Sequence, residues 1–150
     1  WENKMILRNA TLADFTELVL MYKDLSKIVY HNLKINDDIF FYGTVIEWFK
    51  RKRDIVIADD NGTIAGFTLA YVEDLQIVEP YYYGDIAYVK PEYRKGRCAY
   101  LLYNNVVNYG KELGLKVEAK AFIGNGNQNK VDKIQSKFAR PEFIHFRTEA

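Results

Sequence analysis

Apolar residues recur at Phe15, Leu18, Tyr22, Leu25 and Val29 in steps of three and four, which predicts an amphipathic helix. That helix opens in "NATLADF", where Thr11 as N-cap and Asp14 three residues on have the spacing of a capping box. The apolar run "MILR" before it reads as a strand. A second helix is predicted after "NDD", with Ile39, Tyr42, Ile46 and Phe49 as its buried face. The basic run Lys50 to Arg53 ends it, where cations complement the helix dipole, and reads as a solvated helix end before it reads as a nucleic-acid patch.

The period then changes. "DIVIAD" and "TIAGFTLAYV" are apolar runs joined through Asn61-Gly62, a hairpin signal, and after the loop "EDLQIVEP" a third strand follows in "YYYGDIAYV". Steps of three and four return at Ala99, Leu102, Val106, Tyr109 and Leu113, with Gly114 placed as a C-cap, and "KVEAKAF" alternates as a strand. A strand, helix, strand succession makes this last strand parallel to "GDIAYV". "GNGNQN" is a loop, "KVDKIQSKF" a short helix and "EFIHFR" a final strand. The expected class is α+β: a mixed, mostly antiparallel twisted sheet of about six strands with one parallel crossover, flanked by about four helices.

Composition narrows the function. The 150 residues are 49% hydrophobic and 15% aromatic, which fits one globular domain over 1–150, with 1–4 set aside as a flexible or vector-derived start. Twenty-one Lys and Arg against 20 Asp and Glu give no general drive toward nucleic acid or anionic membrane. One cysteine and two distant histidines, His31 and His145, argue against a disulfide framework and a metal site. No apolar run is long enough to span a bilayer and no signal-peptide order opens the chain, so a cytoplasmic location is expected.

The chemistry concentrates in "AYVKPEYRKGRCAYLLYNNVV", residues 87–107. A strand runs into a basic loop, and a helix starts at Cys98 or Ala99. Such a helix start is an anion site, because its first N–H groups lack intrahelical partners and the dipole is positive there. Arg94, Lys95 and Arg97 add charge, and Gly96 and Ala99 keep the backbone accessible. The spacing is neither a dinucleotide fingerprint nor a P-loop, so a pyrophosphate held differently is expected.

With "VKPEYR" at Val89 to Arg94 and Arg94-Lys95-Gly96-Arg97-Cys98-Ala99 after it, the chain resembles the GNAT superfamily of acyl-CoA-dependent N-acyltransferases. The phosphate-loop pattern there is Arg/Gln-x-x-Gly-x-Gly/Ala, usually after V-x-P-x-Y-R. Arg97 stands at the central glycine, or Gly96 takes that role in a loop one residue shorter. The order of elements fits from Met5 to about Phe138.

The resemblance implies that the fourth and fifth strands splay after a bulge. The pantetheine arm of acetyl-CoA would pair with backbone groups near Ala87, Tyr88 and Val89, with an N–H there polarising the thioester carbonyl. It implies pyrophosphate contacts from Arg94, Lys95, Gly96, Arg97, Cys98 and Ala99, and a cofactor contact from Asn129. It implies Asp85 as general base. Where relatives carry an acidic Tyr in Leu-Tyr-x-x-x-Gly-Phe, "KIQSKFAR" places Gln135. Tyr83 is the substitute as acid or pocket wall, and Tyr82 and Tyr103 also lie close in sequence. Cys98 reads as structural, since no histidine partners it, and Phe40, Phe41, Tyr42, Trp48 and Phe49 read mostly as core.

The expected activity is transfer of acetyl from acetyl-CoA to a primary amine by direct attack in a ternary complex, without a metal. The alternative is a non-catalytic acyl-CoA-binding or regulatory module. The acceptor stays open between small-molecule and peptide amines. Neither nucleic acid nor membrane is an expected partner, and a homodimer completing a sheet edge is one assembly considered.

Overall fold

The computed structural model describes residues 5–29 and 38–120, and the backbone of 140–142 and 145–147. Strand β1 is Met5–Asn9; a 3₁₀ turn, Leu12–Asp14, leads into helix α1, Phe15–Val29; helix α2 is Asp38–Lys50. Strands β2 (Asp54–Asp60), β3 (Thr63–Glu73) and β4 (Tyr81–Val89) follow, then a 3₁₀ turn at Pro91–Tyr93, helix α3 (Cys98–Glu112), and strands β5 (Lys116–Lys120), β6 (Arg140–Glu142) and β7 (His145–Arg147). The sheet order is β1-β2-β3-β4-β5-β7-β6, antiparallel at every step except β4–β5, which α3 connects.

This is the mixed α+β sheet expected, with one correction in the strand count. The stretch "EFIHFR", read as one last strand, holds β7 and only the last residue of a further short strand, β6. The predicted helix "KVDKIQSKF" and Asn129 lie outside the described residues. Among the described residues, no helix is long and apolar enough to cross a membrane.

The sheet has a core on each face. Leu18, Val19 and Met21 of α1 and Phe41, Val45 and Trp48 of α2 pack on Ile55, Ile57, Phe67, Leu69 and Tyr88. On the other face α3 lays Leu102, Val106 and Val107 against Ala58, Ala65, Ala70, Tyr82 and Val117. Gly110 lets α3 approach: a Cβ there would meet Val117 Cγ2 at 2.2 Å.

The expected face of α2 is wrong by one residue. Ile39 is 80% exposed and Tyr42 and Ile46 are exposed too, whereas Phe41 is 2% exposed. Apolar residues surround this helix, so spacing alone offers two stripes, and the one bearing Phe41 and Trp48 removes more aromatic area from water. Tyr42 instead stacks on Phe15 at 5.5 Å.

Turn chemistry holds the strands in register. Asn61 (φ 52°) and Gly62 (φ 96°) make the left-handed turn between β2 and β3, and the Gly62 N–H donates to Asp59 Oδ1 at 2.6 Å. Gly114 (φ 73°) ends α3 as a left-handed cap. Asp14 closes the capping box by accepting from the Thr11 N–H at 2.8 Å.

Arg8 joins these pieces. It donates to both oxygens of buried Asp14, at 2.8 and 2.9 Å, and to Asp59 Oδ2 at 2.8 Å, tying β1, the start of α1 and the hairpin tip together. Those bonds hold both carboxyls below their ordinary value of 3.8.

A carboxyl with a depressed folded value contributes stability above its unfolded value and loses it as pH falls through the folded one. Denaturation followed from pH 6 to pH 2 should therefore show stability falling below about pH 4. In Arg8→Met that slope should flatten, and stability at pH 7 should drop by about 2–3 kcal/mol, because Asp14 is left buried without its cation.

A second prediction concerns Gly66 of β3. A Cβ at that position would sit 2.4 Å from the Tyr88 carbonyl oxygen and 3.0 Å from Val89 Cα. Gly66→Ala should cost about 1–3 kcal/mol in urea denaturation, since backbone has to move to admit it.

Candidate functional site

The site is created by a mismatch between two ladders that share β4. On one side β4 pairs with β3 from Glu73↔Tyr81 to Gly66↔Val89. On the other, among the described residues, it pairs with β5 from Tyr81↔Lys116 to Gly84↔Ala119. Between Ala70↔Gly84 and Leu69↔Ile86 the register shifts, so Asp85 is the extra residue of a β-bulge. Beyond it, Ile86 to Val89 pair with Leu69 to Gly66 of β3.

Alternation then decides which backbone groups face the cleft. The Lys90 N–H donates to the Ala65 carbonyl at 2.8 Å, so Lys90 and Tyr88 turn their polar groups to β3. Ala87 and Val89 turn theirs away from β3. The Val89 carbonyl accepts from Arg94 Nε at 2.8 Å. Tyr88 sends its ring into the core, 6.4 Å from Phe67, and its hydroxyl to Asp24 of α1. Burial first and Asp24 second push that hydroxyl above its ordinary value.

At the end of β4 the chain makes its 3₁₀ turn where Pro91 can donate nothing. Tyr93 anchors the turn by donating to Asp60 Oδ2 at 2.8 Å. Lys90 pairs with Glu17 of α1. Lys95, Gly96 and Arg97 are exposed and Arg94 is half-buried.

Helix α3 begins at Cys98 with Arg97 as N-cap, no side-chain cap bond and no acidic residue in its first turn. The Leu101 N–H bonds back to the Arg97 carbonyl at 2.9 Å and starts the helical ladder. A helix dipole's positive end thus coincides with a basic, glycine-containing surface turn, an arrangement suited to a multiply charged anion. Gly96 is not demanded by backbone strain. Its effect is to leave the turn without a side chain.

Cys98 is 1% exposed and packs with Ala58, Ala65 and Leu102, so its thiol belongs to the core. Only its backbone can face a ligand.

The bulge aims Asp85 at the face of the sheet that carries α1 and α2. Its Oδ2 accepts from the Tyr71 hydroxyl at 3.3 Å. Tyr83 lies edge-on to Tyr71 with ring centres 5.7 Å apart, and Tyr81 edge-on to Tyr83 at 6.2 Å. Glu118 pairs in register with Tyr83 and lies between the buried Val117 and Ala119, which puts it on this same face. Tyr82 faces the opposite way and donates to Asp54 Oδ2 at 2.7 Å. Tyr103 packs against the α3-side core.

Sequence reasoning missed two members of this group, Tyr71 and Arg53. The Arg53 guanidinium lies 3.8 Å from the centre of the Tyr71 ring. The alternation Phe67, Leu69, Tyr71 could have placed the tyrosine on this face. Nothing in "KRKR" marks its last member as the inward one.

The acetyltransferase (GNAT) family model matches residues 20–131, most of the chain. The chain belongs to that family. Among solved structures it is similar to ribosomal-protein-alanine N-acetyltransferase from Brucella melitensis, at 15% identity over 97% of this chain and 99% of that one, TM-score 0.70. It is similar to a predicted acetyltransferase with acetyl-CoA from Clostridium acetobutylicum, at 18% identity over 93% and 92%, TM-score 0.71. A third is the PaiA N-acetyltransferase from Thermoplasma acidophilum in complex with coenzyme A, at 12% identity over 95% and 96%, TM-score 0.64. No curated protein matches in a sequence search. At these identities the structures speak for a shared fold.

The burial of Cys98 gives a direct check on how this GNAT chain starts α3. The single thiol should resist a water-soluble disulfide reagent in the folded protein and react at the model-thiol rate in denaturant. Fast reaction in the folded protein would place the α3 start differently.

Proposed function

We propose that this GNAT chain transfers the acetyl group of acetyl-CoA to a primary amine within a ternary complex. The observation that carries the reading is the bulge at Asp85, which follows Gly84↔Ala119, the last β4–β5 pair among the described residues. A strand edge left open beside a parallel neighbour can accept an extended amide-bearing chain as an added strand, and the pantetheine arm is such a chain. The cleft-facing groups of Ala87 and Val89 would hold its amides, and the turn from Arg94 to Ala99 would hold the pyrophosphate. The donor set fits: exposed Lys95 and Arg97 and an uncapped helix start without an acidic neighbour.

Bound acetyl-CoA supplies an activated thioester. The protein's own part is to orient it, to exclude water and to manage the proton. In the reaction the amine nitrogen bonds the carbonyl carbon, the amine's proton passes to Asp85, directly or through water, and the carbon–sulfur bond breaks to release CoA as its thiolate, which takes up a proton from water. The Tyr71 hydroxyl fixes the Asp85 carboxylate by donating to it. It stays protonated, because burial first and Asp85 second push it above its ordinary value of 10. In this reading Tyr83 serves as a pocket wall beside Tyr71.

Calorimetry with acetyl-CoA and with CoA, paired with thiol release over a panel of amines, tests the reading. The Arg94→Ala, Arg97→Ala double variant should weaken acetyl-CoA binding by about 2 kcal/mol or more. Asp85→Asn should leave that affinity in place and lower kcat by about 10²-fold. Binding without thiol release from any amine would instead identify a non-catalytic acyl-CoA module. No binding would remove the cofactor assignment.

A further inference from the structure

Among the described residues, Arg53 presents a charge with no carboxylate partner. The C-terminus of α2 fixes its backbone: Lys52 takes a left-handed conformation (φ 53°) and the Arg53 N–H donates to the Trp48 carbonyl at 3.0 Å. Its neighbours Lys50 and Arg51 share Glu47, and Arg8, Lys23 and Lys90 each have a carboxylate partner. Arg53 is half-buried, and among the described residues no carboxylate lies within ion-pair distance of it. Its contact is the face of Tyr71. A guanidinium drawn out of water gains from stacking on a ring, yet keeps its in-plane N–H fork for a bidentate anion.

The same ring links this cation to the candidate base. Tyr71 carries the Arg53 guanidinium on its face at 3.8 Å and directs its hydroxyl to Asp85 Oδ2 at 3.3 Å. A positive and a negative group therefore stand about one phenol apart, with Tyr83 edge-on beside them. Among the described residues, charged groups near these rings on the same face include Glu73 of β3, paired in register with Tyr81, and Lys116 and Glu118 of β5, paired with Tyr81 and Tyr83. These carboxylates disfavour a dianion such as a phosphate monoester, and a single guanidinium matches a single carboxylate.

We propose that the acceptor is an amino acid, its carboxylate held by Arg53 and its amino group presented to Asp85. The inference rests on the acetyl-transfer reading above and deepens it. Arg53 is the specificity-determining residue. Tyr71 is a positioning residue that spaces the two charges, and the tyrosine rings receive the side chain. An amine lacking the carboxylate leaves Arg53 without its anion and loses that binding energy.

The test uses the full chain with acetyl-CoA and matched pairs of acceptors: tryptophan with tryptamine, leucine with isoamylamine, and lysine with cadaverine. Thiol release gives kcat/KM for each member, and a thermal melt checks that each variant is folded. The amino acid of at least one pair should exceed its decarboxylated partner by roughly 30-fold or more. Arg53→Gln should bring that ratio toward one through a higher KM for the amino acid, and Arg53→Lys should restore part of it. Tyr71→Phe keeps the ring beneath Arg53 and removes only the hydroxyl, so it should lower kcat and preserve the ratio.

Equal use of both members of every pair, or a ratio that survives Arg53→Gln, overturns the amino-acid assignment and leaves acetyl transfer standing. Absence of thiol release from every acceptor, with acetyl-CoA bound, overturns both.

Discussion

One extra residue in one strand, Asp85 of β4, sets the geometry of the candidate site. With Asp85 inserted into β4 opposite the Leu69–Ala70 step of β3, the strand keeps its β3 partner to Val89, and its described pairs with β5 end at Gly84. A bulge adds twist and bends the strand that carries it. With the shift in register, Ala87 and Val89 turn their backbone groups away from β3, and Asp85 sends its carboxylate to the sheet face opposite α3. These consequences cannot be separated, because all of them follow from one shift in register.

The rest of the fold keeps that strand in place. Gly66 permits close approach where a side chain would meet the Tyr88 carbonyl, and Tyr88 fastens the strand to α1 through Asp24. Arg94 holds the last carbonyl of β4, and Tyr93 holds the turn that follows to β2. The two cores divide the work. The α3 side places a helix start and its basic turn at the end of β4, while the α1–α2 side leaves Tyr71, Tyr81, Tyr83 and Asp85 half-buried at its margin. The candidate site residues fall where apolar packing stops.

Much of this was legible in the sequence, for identifiable reasons. Steps of three and four placed α1 and α3, Asn61-Gly62 placed the hairpin, and the single helix between two strands required a parallel pair. The basic turn before Cys98 was legible too: the structure places it at the start of α3, where charge and helix-start physics had raised the expectation of an anion site. Other features depend on contacts that no spacing encodes. The buried stripe of α2 was ambiguous because apolar side chains surround it, and only packing against Phe67 selects Trp48. Arg53 could not be told from the solvated cations before it, since its direction depends on a left-handed turn at Lys52 and on Tyr71 from a distant strand. The ring of Tyr88 likewise pointed to the core only once β4 had its register.

Amide hydrogen exchange with and without CoA, resolved to single residues in β4, tests the central claim most directly. If the open edge takes the cofactor as an added strand, the cleft-facing amides of Ala87 and Val89 gain protection, while Tyr88, already turned to β3, changes little. Unchanged protection at Ala87 and Val89 in the presence of bound CoA, with new protection elsewhere, would contradict the account.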